Sequence, residues 1–163
     1  MTLHPDLSTL LRAYDTHGLP WSAPRHEAES ADYAAASFEV AGMRVRFRVA
    51  KITPTKVGQF VTLWKRLGAG PIQPFDDTDP VDLFVVSTRD GGQGGQFVFP
   101  MAVLAAHDVV ACGGQGGKRA MRVYPPWVVT SSKQAQATRR WQLAYFVAEG
   151  AGTDAVRQRY GAI

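Results

Sequence analysis

The sequence predicts a single α+β domain with an α/β-like flavour, in which a mixed central sheet is flanked by helices. Three observations carry this prediction. The chain has 163 residues, one domain's worth, with 45% hydrophobic and 20% charged content, near globular averages. Apolar residues alternate with polar ones through the middle of the chain, the period of half-buried strands. Apolar stripes at helical spacing lie before, within and after that region.

The elements follow in order. Leu7, Leu10, Leu11 and Tyr14 share a helical face, with Pro5 and Asp6 as a start signal and Gly18 and Pro20 as a stop. The Ala- and Glu-rich run HEAESADYAAA predicts a second short helix. From Phe38 the period becomes two: FEV, a turn at Ala41-Gly42, then MRVRFRVA, whose Val45, Phe47 and Val49 point one way and Arg44, Arg46 and Arg48 the other. Pro54 ends that strand, and QFVTLWKRL after Gly58 predicts another. Pro71, Pro74 and Pro80 beside an aspartate cluster mark an irregular loop.

VDLFVV is nearly continuous in apolar residues, as a central strand covered on both faces requires. Its partner is QFVF, reached through RDGGQGG, where glycines permit a hairpin turn. Pro100 opens a helix through Met101, Leu104 and Ala105, and CGGQGG breaks it. RAMRVY is a further strand, stopped by Pro125-Pro126. SSKQAQATRRWQLAYFVAE predicts one long helix with Ala137, Trp141 and Tyr145 on a stripe and Leu143, Phe146 and Val147 beside it.

Charge is placed unevenly along the chain. Val40 to Phe75 contains no Asp or Glu but carries Arg44, Arg46, Arg48, Lys51, Lys56, Lys65 and Arg66. Val109 to Ala148 is likewise acid-free and carries Lys118, Arg119, Arg122, Lys133, Arg139 and Arg140. Two such segments on one face would create a field suited to phosphates. Folded apart, they would be ordinary solvated faces paired with acids across space.

Several chemistries are disfavoured. Cys112 is the only cysteine, which leaves no intrachain disulfide and no thiolate zinc cage. The four histidines are scattered without ligand spacing, and no serine sits in a GxSxG elbow. CGGQGGKR echoes a phosphate loop but has Cys112 at its first glycine position and Arg119 at its hydroxyl position. No apolar run reaches the ~20 residues of a membrane span, and the acid-containing N-terminus does not resemble an export signal. The expected location is the cytoplasm.

The segment RFRVAKITPTKVGQFVTLWKR, together with GPIQPFD, VDLFVV, GQFVFP, GKRAMRVYPPW and the QA..T..WQ of the last helix, resembles the MepB-like proteins. These are bacterial proteins often encoded beside a drug-efflux pump and its repressor. The resemblance runs from about Glu27 to Phe146, leaving residues 1–26 as an N-terminal helix and linker and 150–163 as a tail within the single domain 1–163. It implies a fold similar to nucleases of the restriction-endonuclease type. Such nucleases hold magnesium or manganese with an acid on one strand and an acid-x-Lys on the next. Here Leu63 stands two positions before Lys65, and Val49 two before Lys51, so neither lysine has its acid.

Three function classes follow. The leading one is a nucleic-acid-binding protein, for DNA or RNA, on a nuclease-like fold without established catalysis. Its candidate residues are Arg44, Arg46, Arg48, Lys51, Lys56, Gln59, Lys65, Arg66, Lys118 and Arg122. Pro125-Pro126-Trp127 is a candidate base-stacking corner, while Trp141 suits the core. The second is a metal-dependent nuclease with Glu29, Glu39 and Asp82 as candidate ligands and Lys51 or Lys65 steadying hydroxide. Asp82 also suits an arginine pair at the mouth of a buried strand. The third, suggested by family context alone, is a regulatory or small-molecule-binding partner of an efflux system.

Overall fold

The computed structural model describes residues 2–162. Helix α1 (Pro5–Thr16) forms where expected and buries Leu7, Leu10, Leu11 and Tyr14. The next expected helix does not form. Strand β1 (Arg25–His26), a 3₁₀ turn at Ala31–Tyr33 and strand β2 (Ala36–Val40) occupy that stretch. Ser30 and Ala34 sit in the left-handed region at φ 62° and 52°, which no α-helix tolerates. Pairing with β2 at a sheet edge has overridden the local Ala/Glu propensity.

Strands β2 and β3 (Met43–Val49) form the expected hairpin, turning through Ala41 and Gly42 at φ 50° and 79°, the positive pair of a primed turn. Two residues, Lys51–Ile52, form β4, and Gln59–Thr62 form β5. The expected single strand through Lys65 divides at Leu63, where register with a later strand ends. Trp64–Arg66 (β6) then pairs instead with Ile72–Pro74 (β7).

Strand β8 (Leu83–Asp90) runs parallel to β3 and antiparallel to β9 (Gln93–Pro100). Leu83, Phe84, Val85 and Val86 are all buried, as a central strand demands. Helix α2 (Met101–Ala106) and strand β10 (Ala120–Val123) follow. Helix α3 (Lys133–Leu143) ends six residues before the predicted limit, and Phe146–Ala148 become β11 on the edge of β9. Gly95 makes room for that pairing, since a Cβ there would stand 2.4 Å from Phe146 Cζ and 2.6 Å from the Val147 carbonyl oxygen. The expected tail contains α4 (Thr153–Arg159).

The main sheet is ordered β1-β2-β3-β8-β9-β11, and a second sheet is ordered β10-β5-β4. On one face of the main sheet, α1 and α4 cover Phe38, Val45, Phe47, Val85 and Val98. Side chains of the opposite parity, Phe84, Val86, Phe97 and Phe99, pack against Leu104 of α2 and against Val61 and Val123 of the second sheet. Each face therefore has its own core, and α3 is tied to the end of β10 through Gln142 while its Trp141 reaches Phe99 of the main sheet.

Candidate nucleic-acid interface

The arginines of β3 lie on one side of the strand, as its alternation requires, yet they do not present free charge. Arg48 is fully buried, with both terminal nitrogens 3.2 Å from the two carboxylate oxygens of Glu27 and Nη1 donating to the Phe47 carbonyl at 2.9 Å. Arg46 meets the same Glu27 at 3.2 Å and lies over the Phe75 ring. Arg44 grips Asp82 through Nε and Nη2, both at 2.9 Å, while its backbone N–H donates to Asp82 at 2.8 Å. Those bonds hold the Asp82 carboxyl below its ordinary range, and burial lowers the pKa of Arg48 against the pull of Glu27. Arg48 is thus corrected from a surface contact to an internal cation.

Other candidates are similarly engaged. Lys65 Nζ lies 2.6 Å from Asp79, Arg66 is 3.5 Å from Glu29 and over the Trp64 ring, and Lys51 caps the Tyr33 ring at 4.7 Å. Gln59 is corrected to an interior residue: it is buried and donates to the Arg89 carbonyl at 3.2 Å. Trp127 packs edge-on against Phe146, with ring centroids 5.9 Å apart, as a rigid corner and not an open stacking face.

Among the described residues, no three His, Cys, Asp or Glu side chains gather where they could share a cation. Glu29 faces Arg66, Asp82 faces Arg44, and Glu39 stands across the β2–β3 ladder from Arg44. These donors do not fit a divalent-metal site, because arginines already occupy Glu29 and Asp82, Glu39 joins neither of them, and neither candidate lysine bridges two carboxylates.

The structure instead brings charge together elsewhere. A cleft of about 1200 Å³ opens between α3 and the second sheet. Strands β5 and β10 pair from Thr62–Ala120 to Gln59–Val123, which places the two acid-free stretches side by side. Every residue lining the cleft except His107 comes from those stretches. Four cations line it, Lys56, Lys118, Arg122 and Arg140, with hydroxyls of Thr130, Ser131, Ser132 and Thr138 and no carboxylate.

Local chemistry fixes these walls. Arg122 donates from Nη2 to Thr53 Oγ1 at 2.7 Å and from Nη1 toward the Val57 and Gly58 carbonyls at 3.3 and 3.4 Å, which pins the β4–β5 loop. Gln142, fully buried, accepts from the Tyr124 N–H at 2.9 Å and donates to the Arg122 carbonyl at 2.8 Å, tying α3 to the end of β10. Ser132 caps α3 by accepting from the Ala135 N–H at 3.1 Å. Trp141 packs on Phe99 with one face and stacks on exposed His107 with its ring at 3.9 Å and 5°. Trp141 is therefore both core and cleft wall. Lys56, Lys118 and Arg140 are exposed and make no ion pair among the described residues.

Sequence reasoning named Lys56, Lys118 and Arg122 but missed His107 and Arg140 as site residues. Arg140 lay within the second acid-free stretch, and the neighbouring apolar stripe of Trp141 concealed that its helix also has a face on the cleft.

A bacterial homing endonuclease of known structure shares this fold, with a TM-score of 0.53 at 14% identity over 96% of this chain and 88% of the other. No curated protein matches the sequence. The crystal structure of MepB superposes with a TM-score of 0.79 at 30% identity, covering 89% of this chain and 98% of that one. The MepB-like family model matches residues 27–148, most of the main sheet together with the whole of the charged cleft, and the chain belongs to the MepB-like family.

Proposed function

We propose that this protein binds nucleic acid through its phosphates in the cleft between α3 and the β5–β10 pair. The observation that carries the reading is the meeting of two acid-free stretches in one groove that holds four cations and no carboxylate. Arg122 is pre-positioned by its loop contacts, while Lys56, Lys118 and Arg140 remain free to follow a backbone. The His107–Trp141 stack supplies a flat surface on which a base can lie without being identified by its edge. The nuclease-like fold of a distant neighbour supports the same direction.

In this reading the protein holds phosphates without hydrolysing them, since Glu29 and Asp82 are neutralised by arginine and no carboxylate lines the cleft. Titration of labelled DNA and RNA at two salt concentrations tests the binding: tight association at low salt with a steep salt response supports it, and no binding at low salt overturns it. Incubation of the same substrates with magnesium or manganese should leave them intact. Cleavage that vanishes in Asp82→Ala while binding persists would restore the nuclease reading.

A further inference from the structure

His107 is the one residue of the cleft lining that lies outside the two acid-free stretches, and its side chain also differs in kind from the rest. Lysine and arginine keep their charge across neutral pH, and no carboxylate stands beside them in the lining. An imidazole, by contrast, changes charge between about pH 5 and 8. The cleft therefore has one wall whose charge follows the proton concentration. The other histidines, His4, His17 and His26, do not line it.

Geometry fixes how this imidazole is held. His107 closes α2 as its C-cap, with its backbone N–H donating to the Val103 carbonyl at 3.1 Å. Its exposed ring lies parallel to the Trp141 indole, with centroids 3.9 Å apart and planes 5° from parallel, and Trp141 is backed in turn by Phe99 at 5.5 Å. The stack covers one ring face and leaves uncovered the ring edge that carries both nitrogens. His4 and His17 engage their Nδ1 atoms with the Asp6 N–H at 3.0 Å and with Thr153 Oγ1 at 2.9 Å, whereas neither ring nitrogen of His107 has a hydrogen-bond partner among the described residues. A protonated His107 thus presents two uncommitted N–H donors.

Charged groups reach its surroundings from each neighbouring element except α2, which has none. Asp108, next in the chain, turns its Oδ1 to the Gly117 N–H at 2.8 Å. Lys118, beyond the glycine loop, and Arg140, beside Trp141 on α3, line the same cleft. In the free protein these two cations oppose a further positive charge, while the indole face favours it. Phosphates seated in the cleft neutralise the cations and attract the imidazolium, so the complex takes up a proton more readily than the free protein. Linkage then makes binding tighter as the pH falls. We infer that His107 is a pH-dependent fifth cation of the cleft, which strengthens its hold on phosphates as the solution becomes acidic. The inference rests on the nucleic-acid reading of the cleft and adds its regulation.

The probe is a fluorescently labelled oligothymidylate without a terminal phosphate, because neither thymine nor a phosphodiester takes up a proton in this range. Anisotropy titrations of the full chain at about pH 5.5 and about pH 7.5 give a ratio of affinities for each variant, in which any change of basal binding cancels. Counterion release gains nothing near 1 M salt, so at roughly 0.7 per single-strand contact one added cation strengthens binding about eightfold at about 50 mM salt and about threefold at about 200 mM. The parent should show these ratios, with a salt slope steeper by about 0.7 at the lower pH. His107→Phe, which keeps a flat ring, and His107→Lys, which is charged at both pH values, should each bring the ratio within about twofold of unity, since the remaining histidines lie outside the cleft and are screened. At about pH 7.5 the salt slope of His107→Lys should exceed that of His107→Phe by about 0.7. His26→Gln should keep the parental ratio. Melting curves at both pH values establish that each protein is folded. Equal parental affinities at the two pH values, or a parental ratio that survives in His107→Phe, overturn the inference and leave the cleft reading standing. Absence of binding at both pH values overturns the cleft reading and the inference with it.

Discussion

Removing the three exposed cations of the cleft, Lys56, Lys118 and Arg140, should flatten the salt dependence of nucleic-acid binding while leaving the fold intact. Four cations line the groove, and if each neutralises one duplex phosphate the logarithmic slope is about −3.6, from roughly 0.9 per contact. A fourfold rise in salt, from about 50 to 200 mM, then weakens duplex binding about 150-fold. Single strands, at roughly 0.7 per contact, lose about 50-fold over the same range. The triple alanine variant keeps Arg122 alone, so its slope falls to about −0.9 and the loss to about 3.5-fold. Arg122 is spared because its hydrogen bonds to Thr53, Val57 and Gly58 hold the loop that bears Lys56. Fluorescence anisotropy with labelled duplex and single-stranded oligonucleotides at three salt concentrations measures the slopes. Thermal melting should show each replacement within about 0.5 kcal/mol of the parent, as expected of solvent-facing side chains. A triple variant that keeps the parental slope refutes the assignment. A companion variant, Arg44→Ala with Lys65→Ala, should leave the slope unchanged, because both cations already face carboxylates.

Three further outcomes follow from the interior. Glu27→Gln strands the sealed Arg48 guanidinium and should cost roughly 3 kcal/mol in chemical denaturation, whereas Arg48→Met, which leaves Glu27 with Arg46, should cost less; the reverse order would deny the pair its structural role. Asp76 is lowered from 3.8 to about 2 by the Thr78 hydroxyl, with help from the Gly114 N–H. Its contribution is therefore present above pH 3.8 and lost as pH falls through 2, so between those values the urea midpoint of the parent should fall more steeply than that of Asp76→Asn. Tyr14 and Tyr160 have raised pKa values, chiefly from burial, so the folded state keeps their protons after the unfolded chain has released its own. Stability should decline above pH 10, and Tyr160→Phe should decline less; ultraviolet titration of phenolate checks that two of the five tyrosines resist ionisation until the chain unfolds.

The central hairpin and the buried strand were legible because alternation and continuous apolarity are local signals. The segment VDLFVV needed no partner to declare itself, and Arg44, Arg46 and Arg48 were placed on the correct side of β3. Alternation states a direction but not what waits there. Glu27, which neutralises Arg46 and Arg48, sits in a run whose composition favours helix, and only pairing with β2 brings it across. The end of α3 was hidden for a similar reason. FVA satisfies a helix stripe and a strand edge equally well, and the choice rests on Gly95, distant in sequence, whose missing Cβ admits Phe146. In the site, the acid-free stretches were visible as a count, and their meeting required the β5–β10 register. Gln59 looked like a surface donor beside KITPTK until that register turned it inward.

The Tyr14–Tyr160 contact also constrains how the chain assembles during synthesis. Its partners are 146 residues apart in sequence. At roughly 5 to 20 residues per second, a ribosome needs about 7 to 30 s to travel from one tyrosine to the other. Once α1 has cleared the exit tunnel, it spends the rest of that interval without Val156 and Tyr160, which complete its apolar cover and do not yet exist. The first helix made is thus among the last to find its full surroundings. Nascent chains stalled before residue 153 should carry α1 in a state open to proteases, and those stalled far enough beyond residue 160 for α4 to clear the exit tunnel should not.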